Sequence, residues 1–203
     1  GPPIPLPGHE HIKRYWDPTR NSYAAKILPG EFYVTTAQEL ITTVLGSCVS
    51  VCIRDTKSGI GGMNHFMLPY SGDSSNWGGE SLAARYGSYA MEAMINAIMK
   101  AGGKRSRFEI KAFGGANVVS AATSVGDNNV DFLHRFLEIE NLKLAASDLG
   151  GVLPRKVVFF PRTGKAHVKK LYDQRNATIR QREEQYSYRL ENAPISGDIE
   201  LFD

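Results

Sequence analysis

Residues 47–54 alternate in size. Val49, Val51 and Ile53 place large side chains on one side, and Cys48, Ser50 and Cys52 place small ones on the other. A strand of this kind is covered on both faces, filled by bulk on one and left roomy on the other. Arg54-Asp55-Thr56-Lys57-Ser58-Gly59 follows and carries turn chemistry. A second apolar run around Met63-Asn64-His65-Phe66-Met67 then predicts the returning strand of a hairpin. Residues placed symmetrically about a hairpin turn lie roughly opposite and share a face. Cys48 and His65 are placed that way. The hairpin is therefore expected to bring a thiol and an imidazole together, the minimum apparatus of a cysteine nucleophile.

The rest of the chain supplies cover for such a sheet. Residues 30–35 predict a short first strand, and 39–45 lead into the strand that carries Cys48. Leu82, Tyr86, Tyr89, Ala90, Ala93, Met94, Ala97 and Ile98 recur at helical spacing and stop at Gly102-Gly103. A strand at 108–113 and a helix from about Val130, striped by Phe132, Leu133, Phe136 and Leu137, come next. Another strand is expected at 143–146, then a hairpin of 157–160 with 166–170 around Pro161-Arg162-Thr163-Gly164. The loop at 70–79 follows the His65 strand and is expected to border the site. Strands interspersed with long helices give an α/β or α+β sandwich in one domain. Residues 1–29 are rich in proline and read as an extended arm. Residues 30–173 read as the domain, and 174–203 as a charged extension. Within that extension, 174–192 suggests a surface helix with a thin stripe of Ile179, Tyr186 and Leu190, and Ile199, Leu201 and Phe202 suggest a docking element.

The chain has 203 residues and a net charge of +3. That length suits one domain with a substantial core. So mild a charge, with no basic stripe among aromatics, argues against nucleic acid as partner. No apolar run approaches a membrane span, and no secretory leader is expected. The two cysteines, if they share one strand, stand ~13 Å apart at their α-carbons, beyond disulfide reach. No spacing suggests a zinc site. A free thiol suits a reducing compartment, and the cytoplasm is the expected location.

Cys48 follows Gly46-Ser47, small residues that admit a substrate and leave backbone N–H groups available to an oxyanion. Cys52 lies deeper, and core packing is expected of it. His167 belongs with Lys165 and Lys169 on a solvent face, His134 is off its helix stripe, and His9 and His11 lie in the arm. Only His65 stands in an apolar strand in register with a cysteine. Of Thr42 and Thr43, only one can face Cys48, and even spacing selects Thr42. Gly114-Gly115 lacks the Lys-Ser/Thr that would make a phosphate loop, so no nucleotide cofactor is expected.

The runs LGSCVSVCIRD, GGMNHFMLP, FGGANV, DLGG and PRTGKAHVKK, spread over residues 30–171, resemble the CheD family of chemotaxis proteins. The resemblance implies a three-layer α/β/α sandwich with a mixed sheet, and a cysteine hydrolase that converts receptor glutamine side chains to glutamate. By position it implies Cys48 as nucleophile, His65 as base and Thr42 as the third active-site residue. It implies no cofactor or metal. It also implies thioester chemistry that extends to glutamate methyl esters, methyl-accepting chemotaxis receptors as substrates, and a CheC-type phosphatase as a further partner. A side chain presented by a receptor's helical bundle suggests a shallow, open groove.

Overall fold

A computed structural model of the protein describes residues 1–69, 82–118, 124–172 and 175–191. The expected border loop at 70–79 and the apolar residues Ile199, Leu201 and Phe202 lie outside them. Ten strands and three helices follow in order: β1 (Lys13–Asp17), β2 (Ser22–Lys26), β3 (Phe32–Thr35), β4 (Glu39–Leu45), β5 (Val49–Asp55), β6 (Gly61–Asn64), α1 (Leu82–Lys100), β7 (Phe108–Gly114), α2 (Val125–Ile139), β8 (Leu144–Leu149), β9 (Arg155–Phe159), β10 (Ala166–Lys170) and α3 (Arg175–Glu191). The α/β class holds, and the strands are shared between two five-stranded mixed sheets. One has the order β1-β2-β4-β9-β10, the other β3-β6-β5-β7-β8.

The alternation along β5 explains the layering. Val49, Val51 and Ile53 pack with Met91, Met94, Ile95 and Ile98 of α1 and with Phe132, Leu133, Phe136 and Leu137 of α2. Cys48 and Cys52 point the other way, into an interlayer with Ile41, Leu45, Met63, Met67, Phe113, Val157 and Phe159. One face of β5 therefore meets helices and the other meets the second sheet.

Two segments depart from the sequence reading. Residues 39–54 were expected to run as one strand into the next, but Gly46-Ser47-Cys48 interrupts them. β4 joins one sheet and β5 the other, so the nucleophile candidate stands on the seam between sheets. Gly114, at φ +108°, belongs to this seam, because a side chain there would collide with the Cys48 carbonyl. The segment read as an extended arm contributes β1 and β2, with β2 parallel to β4 through Ala24↔Leu40 and Ala25↔Ile41. His9 helps to dock it: its Nε2 accepts the Val34 N–H at 3.2 Å, and its ring packs on Phe32 and Tyr33. Alanines and isolated polar residues give β2 little strand propensity of its own, so tertiary pairing decides its state.

Candidate active site

Cys48 and His65 share the interlayer face. The pairs Cys52↔Met63 and Ile53↔Gly62, continued by the bridge Val49↔Phe66, set the hairpin register. That register lies two residues from simple symmetry about the turn. It puts Cys48 across from Met67 and His65 across from Ser50. A shift of two keeps every side chain on its face. The thiol and imidazole are therefore diagonal neighbours, whose backbones stand roughly 7–8 Å apart, within reach of an imidazole. The Gly30 N–H donates to the His65 carbonyl at 2.8 Å and the His65 N–H to the Glu31 carbonyl at 3.0 Å, which fixes the ring's base.

The threonine in contact with His65 is Thr43, the neighbour of the Thr42 that the sequence indicated. The Thr42 hydroxyl donates to the Val157 carbonyl at 2.9 Å, a bond within its own sheet. Thr43 Oγ1 lies 2.7 Å from His65 Nδ1 and donates to the Ile27 carbonyl at 2.8 Å. Counting by twos from Cys48 fails because the seam at 46–48 resets the alternation. Thr43 shares its face with Ile41 and Leu45, both in the interlayer.

The Thr43 contacts fix the imidazole tautomer. A hydroxyl has one proton, and Thr43 gives it to Ile27. His65 Nδ1 must then be the donor in the contact with Thr43, which leaves Nε2 with a free lone pair. Among the described residues the buried Nε2 finds no hydrogen-bond partner, and neither does Ser50 Oγ on the same face of β5. Buried polar atoms without partners are uncommon and collect at functional sites. Burial pushes the His65 imidazole down to about 3, and the nearby charge of Arg182 works in the same direction. The ring is therefore neutral and available as a proton acceptor.

A feature absent from the sequence reading closes the site. α3 carries Glu183 into it. The carboxylate accepts the Ser47 N–H at 2.5 Å, the Ser47 hydroxyl at 2.9 Å and the Cys48 N–H at 2.9 Å. Gly46 makes the room, since a side chain there would strike Glu183. The Cys48 thiol is pushed well up, first by burial and then by the charge of Glu183 and a hydrogen bond to it. Cys48 is 0% exposed, His65 2% and Glu183 3%. The expected open groove is thus a covered seat. The signal for Glu183 was present: it lies four residues after Ile179, three before Tyr186 and seven before Leu190, on the apolar stripe of its helix.

Asn129 was also missed. It is fully buried, its Nδ2 donates to the Ser47 carbonyl at 2.7 Å, and its Oδ1 accepts the Leu68 N–H at 2.9 Å. The Ser47 carbonyl and the Cys48 N–H belong to one planar trans peptide and point in opposite directions. By holding the carbonyl, Asn129 aims the N–H into the seat. Cys52 is buried and makes no such arrangement. Burial pushes its thiol up, opposed by Lys111. Among the described residues no cluster of three or more His, Cys, Asp or Glu side chains could hold a metal, and no helix is long and apolar enough to cross a membrane.

The seat gathers the groups that attack on a carbonyl requires: a thiol, a neutral imidazole, and N–H and O–H donors grouped around a carboxylate. Comparison with known proteins supplies the family. A family described as CheD chemotactic sensory transduction matches residues 67–170. The chain is 52% identical over 200 residues to a probable chemoreceptor glutamine deamidase CheD of Halorhodospira halophila, covering 97% of this chain and 93% of that one. It is 50% identical over 201 residues to the protein of the same description in Hahella chejuensis, covering 99% and 95%. It is 53% identical over 190 residues to that of a Janthinobacterium species, covering 93% of each. With matches of this depth running nearly end to end, and a seat built around LGSC and His65, the chain belongs to the CheD family.

Proposed function

We propose that the protein is a chemoreceptor glutamine deamidase, acting in the cytoplasm on methyl-accepting chemotaxis receptors. The observation that carries the reading is the free Nε2 of His65 on the same interlayer face as Cys48, with a carboxylate already seated on the Ser47 and Cys48 N–H groups. A carboxylate is the product of amide hydrolysis at a glutamine side chain, and the seat accepts one.

The steps follow from the donors present. A substrate carboxamide takes the seat with its oxygen toward the Cys48 N–H and Ser47. His65 Nε2 accepts the Cys48 thiol proton, and the thiolate attacks the carboxamide carbon. Charge gathers on the amide oxygen, where the fixed N–H groups oppose it without reorganising. The imidazolium returns its proton to the leaving nitrogen, ammonia departs, and a thioester remains. Water then gives a proton to Nε2 and attacks the thioester, releasing a glutamate carboxylate and restoring the thiol. A glutamate methyl ester would follow the same route with methanol as leaving group. Thr43 keeps Nδ1 as donor and Nε2 as base throughout. The family resemblance further suggests a CheC-type phosphatase as partner.

Mass spectrometry of receptor fragments incubated with the protein tests the reading. Each converted glutamine gains about one mass unit. His65→Ala is expected to reduce the rate by about two to four orders of magnitude, the usual contribution of an acid–base group. Receptor fragments of unchanged mass with the wild-type protein would overturn the assignment.

A further inference from the structure

The reading above places a substrate carboxamide where Glu183 now sits, and the following inference rests on it. Glu183 is a carboxylate at the end of a two-methylene chain, displayed from a helix and seated beside the candidate nucleophile. It is the product side chain of glutamine deamidation, supplied by the protein itself. We propose that α3 is a built-in product mimic: Glu183 holds the carboxamide seat, the enzyme rests closed, and a glutamine-bearing helix of the substrate must displace α3 to react.

The contacts support both halves of this statement. The carboxylate satisfies the donors that an oxyanion needs, the N–H of Ser47 and of Cys48, together with the Ser47 hydroxyl. Those N–H groups stand on the seam between sheets and donate to a side chain instead of to a neighbouring strand. The presence of Glu183 also opposes chemistry, because its charge and its hydrogen bond favour the protonated form of Cys48. A residue that assisted the nucleophile would do the reverse.

The seat accepts a helix, since it holds one. Ile179, Glu183 and Tyr186 are buried on a single stripe of α3, and Leu190 packs beside them. The Tyr186 hydroxyl pairs with that of Tyr86 at 2.7 Å. The rest of α3 is dense in Arg, Glu and Gln, so few apolar side chains hold it down. A groove of about 320 Å³ runs under it, lined by Thr178, Ile179 and Arg182 on the helix and by Tyr15, Thr43 and Lys156 opposite. Burying a carboxylate is costly and is tolerated here because each oxygen meets donors. A substrate amide would bring no charge into the site: its one oxygen can accept from the Cys48 N–H and the Ser47 hydroxyl, whereas its NH2 group, a donor, cannot take the Ser47 N–H. In an exchange of one helix for another, that lost bond is set against the avoided cost of burying a charge.

Full-length Glu183→Ala and Glu183→Gln proteins test this. Iodoacetamide labelling, read separately for each cysteine peptide, is expected to be slow at both cysteines of the wild type. Glu183→Ala should raise labelling of Cys48 by at least about tenfold and leave Cys52 unchanged, since only Cys48 loses the plug and its opposing charge. The same variant should deamidate receptor fragments faster. In Glu183→Gln the chain becomes its own substrate: the introduced carboxamide and water should yield a carboxylate and ammonia. The α3 peptide then gains about one mass unit, a gain that is lost when Cys48→Ala is added. Equal Cys48 labelling in wild type and Glu183→Ala would overturn the closed resting state. An introduced amide that survives in a Glu183→Gln protein active on receptor would overturn the product mimicry. Faster labelling at both cysteines would mean that Glu183→Ala has unfolded, and the shape-preserving Glu183→Gln would then decide. Should no version convert receptor while Glu183→Ala still exposes Cys48, the plug stands and the deamidase assignment fails.

Discussion

Two buried carboxylates mark the two ends of β5, and they are held in opposite ways. At the far end, Asp55 accepts both Arg107 Nε at 2.8 Å and Arg107 Nη2 at 2.6 Å, and the N–H groups of Lys104, Lys57 and Ser58 at 2.8–3.1 Å. The Arg107 guanidinium holds its carboxyl well below the usual carboxylate range, despite burial. At the near end, Glu183 meets, among the described residues, neutral donors and a thiol, and burial pushes its carboxyl up. Asp55 ties its own turn to the residues that lead into β7, neighbours that persist in the folded chain. Glu183 arrives on a separate helix and occupies donors that a ligand could use. Burial with a permanent counter-charge marks a structural carboxylate, and burial against movable partners marks a site.

The largest expected effect sharpens the near end. Cys48→Ala should lower receptor deamidation by on the order of a thousandfold or more, with the circular dichroism and melting of the wild type, because the nucleophile goes but little volume does. Normal turnover by this variant would break the site assignment. Asp55→Asn addresses the far end. It removes the charge that Arg107 and three N–H groups surround, and should lower the thermal midpoint by several degrees while turnover of the folded protein below that temperature stays close to wild type. Its pH dependence has a definite sign. A folded-state pKa held below the unfolded value contributes stability that is full above the ordinary carboxylate range, ~3.9, and is lost as pH falls below it. Acid titration of the wild type should therefore show a loss of stability there that Asp55→Asn lacks.

Smaller effects separate neighbours. Thr43→Val should lower kcat about tenfold through loss of the tautomer lock, with partial rescue by Thr43→Ser. Thr42→Val should cost about 1 kcal/mol of stability, the value of a typical buried hydrogen bond, and leave the pH profile of turnover in place. A larger kinetic effect at Thr42 than at Thr43 would assign the third active-site role to Thr42. Cys52→Ser should stay within about twofold of wild-type turnover, since its thiol only fills the interlayer.

The legibility of the sequence follows the same division. Alternation in β5 correctly sorted Val49, Val51 and Ile53 from Cys48 and Cys52, because a face is a local property of a strand. The β6 register was off by two without harm to the face of His65. Which of Thr42 and Thr43 reaches His65 could not be read across the break at Gly46-Ser47-Cys48, since parity is meaningless across a change of sheet. Ser22–Lys26 gave no strand signal because its pairing with β4 comes from tertiary packing. Glu183 was hidden by its own charge. A carboxylate in an apolar stripe reads as an interruption until the donors it meets, 135 and 136 positions earlier in the chain, are known.

The seam between the sheets also supplies a clock. The amide protons of Ser47 and Cys48 are tied to a side chain of α3, whereas that of Val49, the next residue, is tied to the Phe66 carbonyl at 3.0 Å. In heavy water the first two should exchange at the rate at which α3 lifts away, and the third at the much slower rate at which the sheet opens. A boundary one residue wide in an exchange profile would then report how often the resting protein is open, with no substrate present.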